Sequence, residues 1–348
     1  MLQKPTVHLF IPHLFQPLVR WNKAFKFKPI CQSFDDYSLR LSALKFEKVH
    51  DLEASFYNYL GVNEAELPIA QYRYELDEGI DKTVSVNKSL LCVDPIHLEI
   101  GLNDINLTEI IYNLSDSEVK SLKDLINKYF IEDGLTLISD SKNQCYVTFP
   151  KSESVTTTPV RDVLNKNVTA YLPVSNDRNW QVIQNEMQML LHSSKINHRR
   201  ELEGLPTINS LWLWGGGNKQ KIDVNLSCIY SQAENIGQIF SKVASCKWLP
   251  LTAGLDQILH SGQSETVIIL DQLILASQND NIDEYQQQLT QIDKDYLVPL
   301  MRAWQQGIID LTLHSCDGHT LQLENTPAWK FWRKQKTLLD LADETSST

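Results

Sequence analysis

No Cys-x-x-Cys pair occurs among the six cysteines of the chain, Cys31, Cys92, Cys145, Cys228, Cys246 and Cys316. Neither the paired-thiol spacing of a zinc site nor a redox dithiol is therefore present. A chain of 348 residues buries enough core to stand without disulfides, so reduced, mostly buried thiols and a cytoplasmic location are expected. Long apolar runs are missing as well. None approaches the roughly 18 to 20 residues that span a bilayer. The opening MLQKPTVHLFIPHLF is interrupted by His8, Pro12 and His13 and lacks a small-residue cleavage site, so no membrane partner is expected. Positive charge is scarce: the formal net charge of −11 argues against a nucleic-acid binder, which needs a basic surface to neutralise phosphates.

What the chain does have is a stretch, residues 185–217, reading NEMQMLLHSSKINHRRELEGLPTINSLWLWGGG. Just before and into it, Trp180, Ile183, Met187, Leu190 and Leu191 recur at helical spacing and make one apolar stripe. Gln181, Asn185, Gln188 and His192 share another face, which either meets water or lines a polar cleft. Asn197 and Arg200 follow, then residues 208–214 read as a buried strand carrying Asn209 and ending in Gly215, Gly216 and Gly217. Three glycines let backbone N–H groups approach an anion, although they are also an ordinary strand exit. Neither a P-loop nor a dinucleotide fingerprint is present.

Residues 192–217 resemble the His-x-x-x-x-Asn-x-x-Arg and Gly-x-x-x-x-Asn-x-x-Trp-x-Trp-Gly-x-Gly run of the archaeal-type cofactor-independent phosphoglycerate mutases. They are more similar still to the bacterial RpfE-type regulatory proteins, as are Asp94-Pro95-Ile96-His97-Leu98, Thr157-Thr158-Pro159 and residues 329–333. The resemblance implies two-metal phosphoryl chemistry at strand ends, and there the chain departs from it. Where the mutases have an Asp after the first strand, this sequence has Ile11-Pro12-His13. Ser33 and Ser55 lack the context of the nucleophilic serine, and Asp271 after the apolar strand 266–270 has no His four residues later. Asp317 and His319 stand near the place of a metal-binding Asp-His pair, yet Cys316-Asp317-Gly318 between alternating segments also reads as a type I′ hairpin turn.

Elsewhere the periodicity is clear. Residues 52–60 read as a helix stopped by Gly61, and Ser115 with Glu118 makes a capping box for a helix expected to face the core with Val119, Leu122, Leu125, Ile126, Tyr129 and Phe130. Residues 68–76 read as a strand, and residues 135–138 and 145–149 as a hairpin. Residues 282–304 keep helical spacing past Pro299.

The expected architecture is α/β, with a central mixed sheet, helices on both faces and a likeness to the alkaline-phosphatase-like fold. One main domain is expected over residues 1–335, irregular over about 1–85, with a flexible tail at 336–348. The expected function is that of a degenerate, regulatory relative of the mutases without a cofactor, binding a small phosphorylated metabolite, a protein partner, or both. Its ligand residues would be Asn185, Gln188, His192, Asn197, Arg200, Asn209 and the three glycines, with Arg200 taking the anion. The alternative is an active phosphomutase or phosphohydrolase with a rebuilt Mn or Zn site at Asp271, Asp317 and His319.

Overall fold

The computed structural model describes residues 4–37, 40–46, 51–62, 68–77, 80, 83, 88–101, 104–112, 114–140, 143–150, 155–217, 219, 222, 224–251, 255–260, 264–323 and 336–346. Residues 329–333 lie outside them. Within the span read as one domain, contacts divide the chain into two compact units, Met1–Asn63 with Ile222–Thr348, and Glu64–Lys221.

The first unit is built on a seven-stranded mixed sheet. It contains β1 (Thr6–Phe10), β2 (Leu41–Phe46), β8 (Cys228–Ser231), β9 (Lys247–Pro250), β10 (Glu265–Ile269), β11 (Asp310–His314) and β12 (His319–Leu323), in the order β2-β12-β11-β1-β10-β8-β9. From β9 to β11 the strands are parallel, while β12 and β2 add on antiparallel. Alternation along β1 assigns its two faces. Val7 and Leu9 enter a core with Leu18 and Trp21 of the helix Leu18–Phe25 and with Tyr285 and Leu289 of the helix Ile282–Ile292. On the opposite face Phe10 meets Phe56 of the helix Leu52–Tyr59, which stacks on Phe240 of the helix Glu234–Val243. Helices thus cover both faces, as expected.

One element of this unit differs from expectation. The residues expected as a tail form the helix Leu338–Ser346, because Leu338, Leu341 and Ala342 share a helical face and bury it in the same core. Helical spacing does continue past Pro299, through a π-helical segment, Asp293–Leu297, in which the Val298 N–H donates to the Asp293 carbonyl. A wider turn accommodates a proline that supplies no N–H.

The second unit is an antiparallel sheet of β3 (Lys88–Ile100), β4 (Ile105–Ile110), β5 (Thr136–Ser139), β6 (Cys145–Pro150) and β7 (Ser210–Trp214), ordered β4-β3-β6-β5 with β7 also paired to β3. β3 runs through Pro95 because β6 pairs it up to Val93 and β4 takes over from Ile96. The missing N–H falls in the gap between them, where the Ile111 N–H donates to the Pro95 carbonyl. The helix Asp116–Phe130 starts at the expected capping box, with Ser115 and Glu118 exchanging bonds. Residues 68–76, expected as a strand, form the helix Ile69–Leu76. The alternation of Tyr72 and Tyr74 mimicked a strand, but Pro68 followed by Ala70, Gln71, Arg73, Glu75 and Leu76 favours a helix.

Candidate functional site

In the second unit the motif residues expected to bind a ligand hold one another in place. Asn197 is buried, and its Nδ2 donates to the carbonyls of Leu191 at 2.8 Å and Ile208 at 2.7 Å, while its Oδ1 accepts the Ile208 N–H at 2.8 Å. Asn209 continues the ladder on the free edge of β3: Oδ1 accepts the Leu98 N–H and Nδ2 donates to the Leu98 carbonyl, both at 2.7 Å. Arg200, 5% exposed, donates from Nε to the Pro206 carbonyl and from Nη1 to Glu118 Oε1, each at 2.6 Å. Burial of Glu118 opposes its charge, but hydrogen bonds from Ser115 and Arg200 outweigh that and hold the carboxyl below the usual range.

The smaller motifs join the same lattice. Trp212 Nε1 donates to the Thr158 carbonyl at 2.8 Å, Trp214 Nε1 to Asp94, the Gly215 N–H to Thr157 Oγ1 at 3.0 Å, and His97 Nδ1 lies 2.8 Å from the Thr207 carbonyl. Gly215, at φ +75°, gives its carbonyl to the Ala70 N–H, and a Cβ there would sit 3.3 Å from that nitrogen and from Ile69 Cβ. Gly217 accepts from Gln71 Nε2 at 2.9 Å, and Gly216 between them is buried. The glycines therefore admit the helix Ile69–Leu76 against the end of β7. On the helix Trp180–His192, Asn185 and His192 are exposed and Gln188 half-buried. Gln184, which the polar stripe left out, is the buried one, donating to Ser210 Oγ at 2.6 Å and the Leu211 carbonyl at 2.8 Å.

In the first unit, the carboxyl ends of β1, β10 and β11 come out at one edge of the sheet, the usual place for a site in parallel sheets. After β1, His13 sits at φ 62° with Nδ1 2.9 Å from Ser277 Oγ, and the Tyr285 hydroxyl donates to the His13 and Leu14 carbonyls. After β10, the Asp271 carbonyl accepts the Ile274 N–H as the helix Leu273–Gln278 begins. After β11, the Ser315 hydroxyl donates to Asp317, whose Oδ1 lies 3.2 Å from His319 Nδ1; Ser315 and His319 are buried. The turn itself is not type I′. Ser315 N–H bonds the His319 carbonyl, leaving a three-residue loop with positive φ at Cys316 and Gly318. Burial, with Cys31 and Asp317 nearby, holds the Tyr285 phenol well above its ordinary range.

Ser33 lies in the first turn of the short helix Gln32–Tyr37. The Asp293 carboxylate, brought there by the π-helical turn, accepts the N–H groups of Gln32 at 2.9 Å and Ser33 at 3.3 Å. An internal carboxylate thus occupies these two amides of the first turn. Ser55 lies within the helix Leu52–Tyr59.

The resemblance to the mutases implies metal ions at this edge. The donors present do not fit them: among the described residues no three His, Cys, Asp or Glu side chains converge as a metal site, and Asp317 is engaged by Ser315 and His319.

Two polar clusters carried no sequence signal. In the first unit His8 Nδ1 lies 3.1 Å from His314 Nε2 and His8 Nε2 3.2 Å from Glu265 Oε1, which also accepts from the Tyr59 hydroxyl at 2.9 Å. In the second, Arg73 Nε donates to Gln144 at 2.7 Å below the Tyr146 ring, whose hydroxyl donates to Asp77. Burial raises the Asp94 carboxyl there, against the opposing pull of Arg73 and Trp214. Partners this far apart in sequence leave no local pattern to read.

No family model matches the chain. A curated relative, the 2,3-bisphosphoglycerate-independent phosphoglycerate mutase of Methanosarcina barkeri, is 30% identical over 107 residues, which is 30% of this chain and 26% of the relative. The chain thus matches about a quarter of that relative's length. Among solved structures, the PH0037 protein of Pyrococcus horikoshii superposes with a TM-score of 0.52 at 12% identity, covering 93% of this chain and 88% of that one. A cofactor-independent phosphoglycerate mutase of Thermoplasma acidophilum gives a TM-score of 0.43 at 11% identity, covering 99% of both chains. The fold is that of PH0037, mixed α/β about a central mixed sheet, and part of the sequence is similar to a phosphoglycerate mutase.

Proposed function

We propose that this chain is a phosphoglycerate-mutase-like pseudoenzyme that acts by binding a protein partner, in the manner of the RpfE-type regulatory proteins, rather than by metal-dependent phosphoryl transfer. The observation that carries the reading is internal occupation: Asp293 holds the amides of Gln32 and Ser33, and Glu118 holds Arg200. Two-metal transfer needs several carboxylates and imidazoles converging on ions about 4 Å apart, and the donors at the strand ends bind each other instead. The chain's role is regulatory and its location cytoplasmic on this reading. No helix among the described residues is long and apolar enough to cross a membrane.

A small phosphorylated ligand is the second binding reading, and it would use Arg200 with Asn185, Gln188 and His192. Titration with 3-phosphoglycerate, followed by thermal unfolding, separates the two, since a ligand of the folded state must stabilise it. The expected result is an unchanged unfolding temperature at millimolar ligand. A rise that Arg200→Lys abolishes would restore the phosphorylated-ligand site. The remaining reading is an active phosphomutase or phosphohydrolase using Asp271, Asp317, His319 and Mn or Zn; it requires Asp317 and His319, 3.2 Å apart, to exchange their mutual contact for a metal ion.

A further inference from the structure

The first unit carries a positive, apolar surface over residues 20–30, at the end of the helix Leu18–Phe25 and the turn after it. In a chain of net charge −11, Lys23, Lys26 and Lys28 are all exposed here. Between and beside them, Phe25 is 64% and Ile30 71% exposed. The turn that presents these side chains is held from beneath. Lys26 takes a left-handed conformation at φ 56° and its N–H closes on the Asn22 carbonyl, while Asn22 Nδ2 donates to the Phe27 carbonyl at 3.0 Å. Phe27 turns inward against Trp21 and Tyr285. Gln286 then clasps Ile30 from both sides, accepting its N–H and donating to its carbonyl, each at 2.9 Å. Arg20 is already matched, with its guanidinium on Asp280; no ion pair of the three lysines is found among the described residues.

We propose that this surface is the docking site for an acidic amphipathic segment of a partner protein. Two apolar anchors held out by a fixed turn lose little entropy on binding, the property that makes interface side chains count. Three lysines around them select a negatively charged partner and speed its approach. The chain shows the matching chemistry itself. Its helix Leu338–Ser346 buries Leu338 and Leu341 in the core that holds Leu18 and Trp21, and carries Asp340 and Asp343 outward. A flat anionic bilayer fits less well, because it would face the net negative charge of the whole chain along with three lysines. The proposal rests on the reading of the chain as a partner-binding protein and names the partner's chemistry.

The test uses the full chain and, as probe, a synthetic amphipathic helix alternating Leu and Glu faces, with its Glu→Lys version as control. Binding is measured by fluorescence anisotropy at low and high salt. The expected result is binding of the acidic peptide only, weakened by salt. It should fall at least tenfold in the triple variant Lys23→Glu, Lys26→Glu, Lys28→Glu and in the double variant Phe25→Ser, Ile30→Ser. These residues are exposed, so both variants should keep the unfolding temperature of the wild type. No binding, or binding the two variants leave unchanged, overturns the proposal, as does binding to phosphatidylserine vesicles without binding to the peptide. Failure here with no mutase turnover removes this docking surface alone. Turnover removes the reading on which it rests.

Discussion

Asn197 and Arg200 show how a residue chosen for its chemistry can be held by the backbone instead. The carboxamide of Asn197 makes three backbone bonds from a buried position, joining the carboxyl end of the helix Trp180–His192 to the segment before β7. Removing it leaves the Ile208 carbonyl and N–H without a partner, each costing about 1–3 kcal/mol when unpaired inside, while the Leu191 carbonyl keeps the Ser194 N–H. Asn197→Ala is therefore expected to destabilise the chain by about 2–4 kcal/mol in urea unfolding. Arg200→Ala leaves a half-buried Glu118 without its partner, and breaking such a pair costs about 3–5 kcal/mol in a dry interior. Glu118 keeps its bonds to Ser115, so about 2–3 kcal/mol is expected. A cycle with Glu118→Gln should show the two positions coupled; additive effects would contradict the pairing.

Elements tie distant residues into sets that no element shows alone. His8 of β1 lies between Glu265 of β10 and His314 of β11, and Tyr59 of the helix Leu52–Tyr59 closes the set. The imidazole of His314 stacks on Phe10 with centroids 4.2 Å apart. Burial, and then the neighbouring His8, lower its pKa from 6.5 to about 3. Between these values the unfolded chain binds the proton and the folded chain does not, so folding stability from this group is complete above pH 6.5 and falls as pH falls toward 3. The slope is up to about 1.4 kcal/mol per pH unit. Glu265 is held below its ordinary range by the His8 hydrogen bond first, then by Tyr59, against burial. It contributes stability that is present above its unfolded pKa and lost at lower pH. Denaturant unfolding at pH 7 and pH 5 should show the wild type losing about 2 kcal/mol more than His314→Asn. Equal losses would mean that His314 is not held neutral.

Local devices were legible in the sequence for a physical reason: each acts within a few residues. The capping box at Ser115 and Glu118, the stop at Gly61 and the β11–β12 hairpin all appear where spacing placed them. Legibility failed where the partner lies elsewhere in the chain. Residues 69–76 alternate like a strand but dock as a helix on Gly215, and the final helix is ordered by a core that its own residues do not reveal. Of the candidate site, sequence placed Asp317 beside His319 but gave no sign that Asp293 would cap the helix bearing Ser33.

For the whole molecule, a mixed α/β fold carries a candidate site whose polar groups are engaged internally. Asp293, Glu118 and Asp317 each hold a position by bonding the chain itself. A fold can persist while its site changes use, because packing and chemistry draw on different side chains. The measurement that tests this most directly is metal content by elemental mass spectrometry on the purified protein, alongside a phosphoglycerate mutase assay with added Mn²⁺ or Zn²⁺. The expected result is substoichiometric metal and no turnover. Stoichiometric metal with turnover that falls in Asp271→Asn and His319→Gln would contradict the account and establish a rebuilt catalytic centre at the carboxyl ends of β10 and β11.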